Sequence, residues 1–356
     1  MLIFVIIMLL VIFTGFKATG ENQFNKDYIS YKQTNAINGI FVLLVFFSHA
    51  CAYATYNGVL DGPYQALRGH LGQMIVVPFL FYSGYGIMES IKKKGTDYVK
   101  QIPGKRFLRV FYHYDIAVFL FLLLNLYLGN ELKLKRTLLA FTTWTSIGNS
   151  NWYITAALGL YLITFVAFII ARKHHYIGAI LTTALSVAFV YWQITMNREA
   201  YCYNTIILYA VGMWYSLLKD KIERIVQKSD LIYFFVCALV GCAYWYSFNH
   251  RKDGVEWHSV WGVLFMALVV LITMKFSINN EMLQWLGKHT FSVYILQRMP
   301  MLILKDLGIA ATNKYAFIVI SFVLTVFIAE LFDRAMAKLD GFIYKPRKNK
   351  ASEIAQ

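Results

Sequence analysis

Residues 152–171 read WYITAALGLYLITFVAFIIA, twenty residues without one charged side chain. A helix needs about 20 apolar residues to cross the hydrocarbon core of a membrane. Apolar blocks of similar length recur along the whole chain, with short charged stretches between them. This pattern predicts a chain that crosses a membrane many times.

The composition supports the same interpretation. Hydrophobic residues make up 58% of the 356 positions and charged residues 15%, with only 5 prolines. Soluble domains carry more charge, about 25%, and a smaller apolar share. Barrel strands would alternate in polarity, whereas Ala117 to Leu124 and Ala316 to Ile328 are apolar on nearly every side. We therefore expect an all-α, polytopic integral membrane bundle of about 10 or 11 transmembrane helices.

Eleven segments are candidate spans. They alternate with short loops, and no period of about 20 to 50 residues repeats. The segments are Leu2 to Phe16, Asn38 to Thr55, Leu71 to Ile91, Val110 to Leu128, Trp152 to Ala171, Tyr176 to Ile194, Thr205 to Leu218, Leu231 to Phe248, Trp257 to Met274, Phe291 to Leu307 and Tyr315 to Leu331.

The basic residues orient these spans. With eleven crossings, 24 of the 34 Lys and Arg residues fall on one side and nine on the other, while Arg298 lies inside a span. Cytoplasmic loops of membrane proteins are enriched in Lys and Arg. We expect the amino terminus outside and the carboxyl terminus in the cytoplasm. This topology accounts for the net charge of +15, so no nucleic-acid partner is expected.

The chain is expected to form a single membrane-embedded domain over residues 1–356. Residues 1–16 would add an amino-terminal span, with cleavage as a secretory signal as the alternative, and residues 335–356 would form a short basic cytoplasmic tail. No linker is rich in Gly, Ser or Pro. Any active site must then lie in a cavity between helices.

Polar residues inside the spans are the first candidates for function. His49 ends an otherwise apolar run in the second span, and Gln297 and Arg298 lie within the tenth. Ionisable groups in a membrane mark functional sites by default. A histidine satisfied by a backbone carbonyl is the alternative for His49. His113 and Asp115 are weaker candidates.

Other candidates lie near the ends of the spans. Arg106 and Arg109 are three residues apart at a helix start and could grip phosphates, or they could anchor the chain at lipid headgroups. Ser83 and Gly84 could leave carbonyls accessible, although small residues more often serve helix packing. Trp152 and Tyr153 could form part of an interfacial aromatic belt.

Together these motifs resemble acyltransferase family 3, whose members are bacterial integral-membrane enzymes that move acyl groups, commonly acetyl, onto sugars of surface polysaccharides and related acceptors. The resemblance extends over most of the chain. Its motifs are the basic-residue-X10-His pattern ending at His49, Ser83-Gly84, Arg106-X-X-Arg109, Trp152-Tyr153, and Gly-Lys-X-Ser/Thr-X-X-X-Tyr-X-X-His at Gly287 to Gln297.

The resemblance implies a reaction and roles for these residues. An acyl-CoA, acetyl-CoA in particular, is the donor, and no metal or permanently bound cofactor is expected. His49 acts as the general base, and Arg106 and Arg109 hold the donor's phosphates. Ser83, Gly84, Trp152, Tyr153, Tyr294 and Gln297 are the further substrate-binding candidates.

Two positions depart from the family pattern. Asn38 stands where the family usually has Arg or Lys, and Gln297 stands where it often has His. Asn38 can hydrogen-bond a carbonyl but supplies no positive charge to an oxyanion, so Arg298 is the candidate replacement. Asn38 and Arg298 are therefore counted with His49 as catalytic candidates.

The implied protein is multi-pass in the bacterial cytoplasmic membrane, with membrane lipid around it and a carbohydrate or lipid-linked glycan as acceptor. Two other functions stay open. A transporter or flippase of glycan precursors would also need polar groups in a cavity, but no inverted repeat is evident. A non-catalytic partner in envelope assembly is the third interpretation.

Overall fold

The computed structural model describes residues 1–344, which are almost entirely helical. Seventeen α-helices and two short strands follow in this order: α1 Leu2–Phe13, β1 Phe16–Ala18, α2 Tyr31–Ala50, α3 Gly62–Leu71, α4 Val77–Lys94, α5 Thr96–Ile102, α6 Arg109–Tyr127, α7 Leu134–Phe141, α8 Trp152–Ala171, α9 His175–Thr195, α10 Ile207–Val226, α11 Asp230–His250, α12 Val255–Lys275, β2 Phe276–Ile278, α13 Glu281–Lys288, α14 Thr290–Leu296, α15 Arg298–Asp306, α16 Ile309–Thr312 and α17 Lys314–Ile343. Short 3₁₀ segments lie at Val59–Asp61, Gly72–Val76 and Ala200–Cys202, and a π-helical segment at Pro103–Leu108.

The helical bundle confirms the predicted fold class. Within residues 1–344, seven helical segments are long and apolar enough to cross a membrane. The other predicted spans also fall on helices, but these are short, broken or polar at one end. Helix α1, for example, has only 12 residues, and α2 begins at Tyr31, seven residues before the predicted span.

The predicted tenth span is two helices. Helix α14 ends at Leu296 and α15 begins at Arg298, so Gln297 lies at the junction. Because proline lacks an N–H, it is tolerated in the first turn of a helix and not in its interior. The break places Pro300 in the first turn of α15.

The last helix is longer than the sequence predicted. Helix α17 runs to Ile343, so residues 335–343 are helical and do not belong to a tail. Residues 345–356, the rest of the expected tail, lie outside the described residues. Charged residues such as Lys338 and Asp340 end the apolar run but do not end the helix.

Loops predicted on one side of the membrane contact one another. Strand β1 follows α1 and pairs antiparallel with β2, Lys17 lying opposite Ser277. On the opposite side of the bundle, Lys314 Nζ lies 2.5 Å from a carboxylate oxygen of Asp61. These contacts agree with the alternation of loops that the sequence predicted.

Helices α2 and α13 pack closely because each presents a glycine to the other. A Cβ on Gly39 would lie 2.0 Å from the carbonyl oxygen of Leu283, and one on Gly287 would lie 1.8 Å from that of Asn35. Only a hydrogen atom fits at such contacts. The packing places Lys288, the last residue of α13, beside the first half of α2.

Candidate active site

A cavity of about 640 Å³ opens at one end of the bundle, between α2, α4, α6, α8 and α14. At its entrance lie Tyr31, Arg106 and Lys288, all exposed. The buried side chain of Tyr294 lines its interior. Six of the eleven candidate site residues line this cavity: Asn38, Ser83, Arg106, Arg109, Tyr153 and Tyr294.

The two arginines reach the cavity from an irregular helix turn. Pro103–Leu108 is π-helical, a rare geometry that often occurs at functional sites, and α6 begins at Arg109 directly after it. Arg106 Nε donates to the hydroxyl of Tyr98 at 3.1 Å. Arg109 Nε lies 3.3 Å from Asp340 Oδ2, so its charge is already paired. Arg106 and Lys288 carry the charge available to a ligand.

Polar atoms inside the cavity lack protein partners. The Oδ1 atom of Asn38 and the hydroxyl of Tyr82 are buried, yet neither has a hydrogen-bond partner within residues 1–344. A buried polar group without a partner costs about 1 to 3 kcal/mol, so such atoms mark places where a ligand or water binds. Both side chains line the cavity. A polar ligand in the cavity can therefore hydrogen-bond to these two groups.

His49 does not line the cavity. It is eleven residues after Asn38 on the same helix, which corresponds to about three turns and roughly 16 Å along one face. The ring centres of His49 and Tyr294 are 6.1 Å apart, and those of Tyr294 and Tyr153 are 5.6 Å apart. The Nδ1 atom of His49 is buried without a hydrogen-bond partner in the part of the chain described here. Tyr294 therefore lines the cavity and also packs beside His49, and Tyr153 packs against Tyr294.

Arg298 lies within electrostatic range of His49. Its guanidinium interacts electrostatically with His49 and with Tyr294. Its Nε atom is buried and has no hydrogen-bond partner among residues 1–344. A cation next to a free imidazole can stabilise negative charge that develops on a reacting oxygen.

The arrangement combines a basic cavity entrance, an interior with two unpartnered polar groups, and an imidazole within electrostatic range of a guanidinium. The sequence from residue 31 to residue 334 matches the model of acyltransferase family 3, described as an acyltransferase domain. The chain belongs to acyltransferase family 3. No curated protein and no solved structure matches it. The matched range extends over nearly the whole chain and includes both ends of the cavity.

Three of the predicted substrate-binding residues lie outside the cavity of this acyltransferase. Gly84 faces α10, where a Cβ would lie 1.9 Å from the carbonyl oxygen of Tyr209, so its small size serves helix packing. Gln297 is fully buried, and its Nε2 donates to the carbonyl of Tyr294 at 3.2 Å. Trp152 packs against the rings of Tyr153 and Tyr201.

The structure also shows cavity residues to which the sequence pattern assigns no role. Lys288 was part of the Gly-Lys motif but was given no role, and His113 was only a weak candidate, yet both line the cavity. Tyr82, Tyr85 and Tyr161 line it as well. Asp340 was placed in the tail, and nothing in the sequence indicated its contact with Arg109.

Proposed function

We propose that this membrane acyltransferase moves an acyl group, most simply acetyl, from cytoplasmic acyl-CoA to a hydroxyl of a cell-surface carbohydrate or lipid-linked glycan. The proposal rests mainly on one observation. Tyr294 lines a cavity that has an arginine and a lysine at its entrance, and the ring of Tyr294 lies 6.1 Å from the ring of His49. We place the protein in the bacterial cytoplasmic membrane with its carboxyl terminus in the cytoplasm.

The entrance fits the phosphates of acyl-CoA. Arg106, Arg109 and Lys288 all belong to loops or helix ends that the distribution of basic residues assigns to the cytoplasm. Guanidinium groups bind phosphate oxygens with charge-assisted hydrogen bonds. With the phosphates at the entrance, the thioester arm extends along the cavity towards Tyr294, and the thioester passes beside that ring to reach His49.

His49 has the chemistry of a general base for this reaction. Its imidazole takes the proton from the acceptor hydroxyl while that oxygen forms a bond to the thioester carbonyl carbon. The carbon–sulfur bond of the tetrahedral intermediate then breaks, and the departing thiolate receives the proton from the imidazolium. The products are an O-acylated acceptor and free CoA thiol.

Arg298 supplies the positive charge that Asn38 does not. The oxyanion of the tetrahedral intermediate must form close to His49, whereas Asn38 lies roughly 16 Å away along α2. Asn38 therefore serves the donor in the cavity. Arg298, next to His49, stabilises the oxyanion.

Release of CoA tests the proposal. We would purify the protein in lipid nanodiscs, supply acetyl-CoA with and without glycan acceptors from the host envelope, and follow free thiol and acylated product by mass spectrometry. Acceptor-dependent thiol release by wild type but not by His49→Ala supports the enzyme. No release with any acyl-CoA, together with movement of the glycan across the membrane of proteoliposomes, would instead identify a transporter.

A further inference from the structure

Asp340, near the end of α17, contacts three side chains of α6. Its carboxylate lies 3.3 Å from Arg109 Nε and 3.1 Å from His113 Nε2, and it accepts a hydrogen bond from the hydroxyl of Tyr112. A carboxylate only accepts hydrogen bonds, so Nε2 of His113 is the donor in its contact. Helix α6 therefore surrounds one anion with a guanidinium in an ion pair and two hydrogen-bond donors.

The donors form one patch on the surface of α6. Residues three and four positions apart are neighbours on a helix, so Arg109, Tyr112 and His113 face the same side. Arg109 and His113 also line the cavity. The ring of Tyr344 lies over the Arg109 guanidinium at 4.9 Å, and its hydroxyl donates to the carbonyl of Gly104 at 2.7 Å. These contacts hold the end of α17 against Arg109 at the cavity entrance.

We infer that Arg109, Tyr112 and His113 are a phosphate site, and that Asp340 occupies it in the unliganded protein and gives way when phosphate binds. Three converging donors, one of them a guanidinium, match a phosphate at least as well as a carboxylate. The inference deepens the proposed function, on which the choice of occupant rests: the phosphate belongs to the CoA moiety of the donor. A phospholipid headgroup is the other source of the same chemistry.

This arrangement makes Asp340 a competitor of the donor. Two anions cannot share the three donors, so each binding event must displace the carboxylate and release the end of α17 from Arg109. Removing the charge of Asp340 should therefore tighten binding of phosphate ligands. If Asp340 only held Arg109 in place, the same change would weaken binding.

The test compares Asp340→Asn with a matched variant of the same helix. Glu330→Gln removes a carboxylate that pairs with Arg334 at 2.7 Å and does not line the cavity. In phosphatidylcholine nanodiscs, we expect the Kd of CoA to fall by about three- to tenfold in Asp340→Asn and to stay unchanged in Glu330→Gln. Adding Arg109→Gln to Asp340→Asn should abolish this decrease in the Kd of CoA.

Two further arms identify the source of the phosphate. If Asp340→Asn lowers the Kd of 3′-dephospho-CoA less than the Kd of CoA, the 3′-phosphate occupies this site. If purified Asp340→Asn retains more phosphatidylglycerol than wild type by mass spectrometry, and its Kd for CoA does not fall, a lipid headgroup occupies the site. Unchanged or weaker binding of both in Asp340→Asn overturns the inference. No CoA binding by any variant, wild type included, would contradict the proposed function while the lipid arm still tests the phosphate site.

Discussion

The ring of Tyr294 lies 6.1 Å from the imidazole of His49 on one side and lines the cavity on the other. Under the proposed function, this ring would lie between acyl-CoA in the cavity and His49, the proposed base. Such a boundary would limit the access of water to the thioester from the His49 side.

His49→Ala should lose acyl transfer while keeping its affinity for acyl-CoA. A positioned general base contributes about 10² to 10⁴ in rate, and His49 does not line the donor cavity. Single-turnover rates and equilibrium binding of acetyl-CoA in nanodiscs measure the two properties separately. Retained transfer by this variant would exclude His49 as the base.

Tyr294→Ala should uncouple the donor from the acceptor. Removing the ring joins the cavity to the space around His49, so water can reach the thioester, and we expect CoA release without acceptor to rise relative to transfer. Tyr294→Phe keeps the ring and is the matched control. Equal acceptor-independent release by wild type and both variants would show that Tyr294 is not the boundary.

Part of this site could be predicted from the sequence because it depends on helix periodicity alone. The spacing of Asn38 and His49 is about three turns, so their common face follows from any helical segment that contains both. The contact between His49 and Tyr294 could not be predicted. Tyr294 is 245 residues after His49 in the chain, and its position depends on how α14 packs.

Asp340 was missed for a different reason. Hydropathy indicates where a helix leaves the membrane and not where it ends, because Lys, Arg and Glu are good helix formers in water. Residues 335–356 therefore resemble a basic tail in the sequence, although α17 continues to Ile343. Only the position of α17 beside α6 brings Asp340 to Arg109.

Gly84→Ala should destabilise the fold. Small residues in membrane helices look the same in sequence whether they pack or bind, but here a Cβ would meet the Tyr209 carbonyl oxygen at 1.9 Å. Overpacking of this kind typically costs about 1 to 3 kcal/mol. Gly86→Ala is the control, because its added Cβ meets nothing within 4 Å among the described residues. Thermal unfolding in detergent should show a lower Tm for Gly84→Ala alone.

Arg106→Gln should raise the KM for acyl-CoA with little change in kcat. A hydrogen bond to a charged group is worth about 1.5 to 3 kcal/mol, so we expect an increase of about tenfold or more. Lys94→Gln removes the same charge from an exposed residue that does not line the cavity. Steady-state kinetics at varied donor concentration compare them. An equal rise in both variants would mean that general surface charge, and not a phosphate contact, attracts the donor.

Arg298 and Asn38 should affect different kinetic constants. If Arg298 stabilises the oxyanion beside His49, Arg298→Gln removes a contact made only in the transition state, and kcat should fall by about 10² to 10³ with an unchanged KM for the donor. Arg298→Lys keeps the charge and should retain part of the rate.

Asn38→Ala removes a partner of the bound donor, so its main effect should be a higher KM. The reverse result, a low kcat in Asn38→Ala and normal kinetics in Arg298→Gln, would mean that Asn38 stabilises the oxyanion. The tetrahedral centre would then have to form in the cavity, on the opposite side of Tyr294 from His49, and a different residue would have to serve as the base.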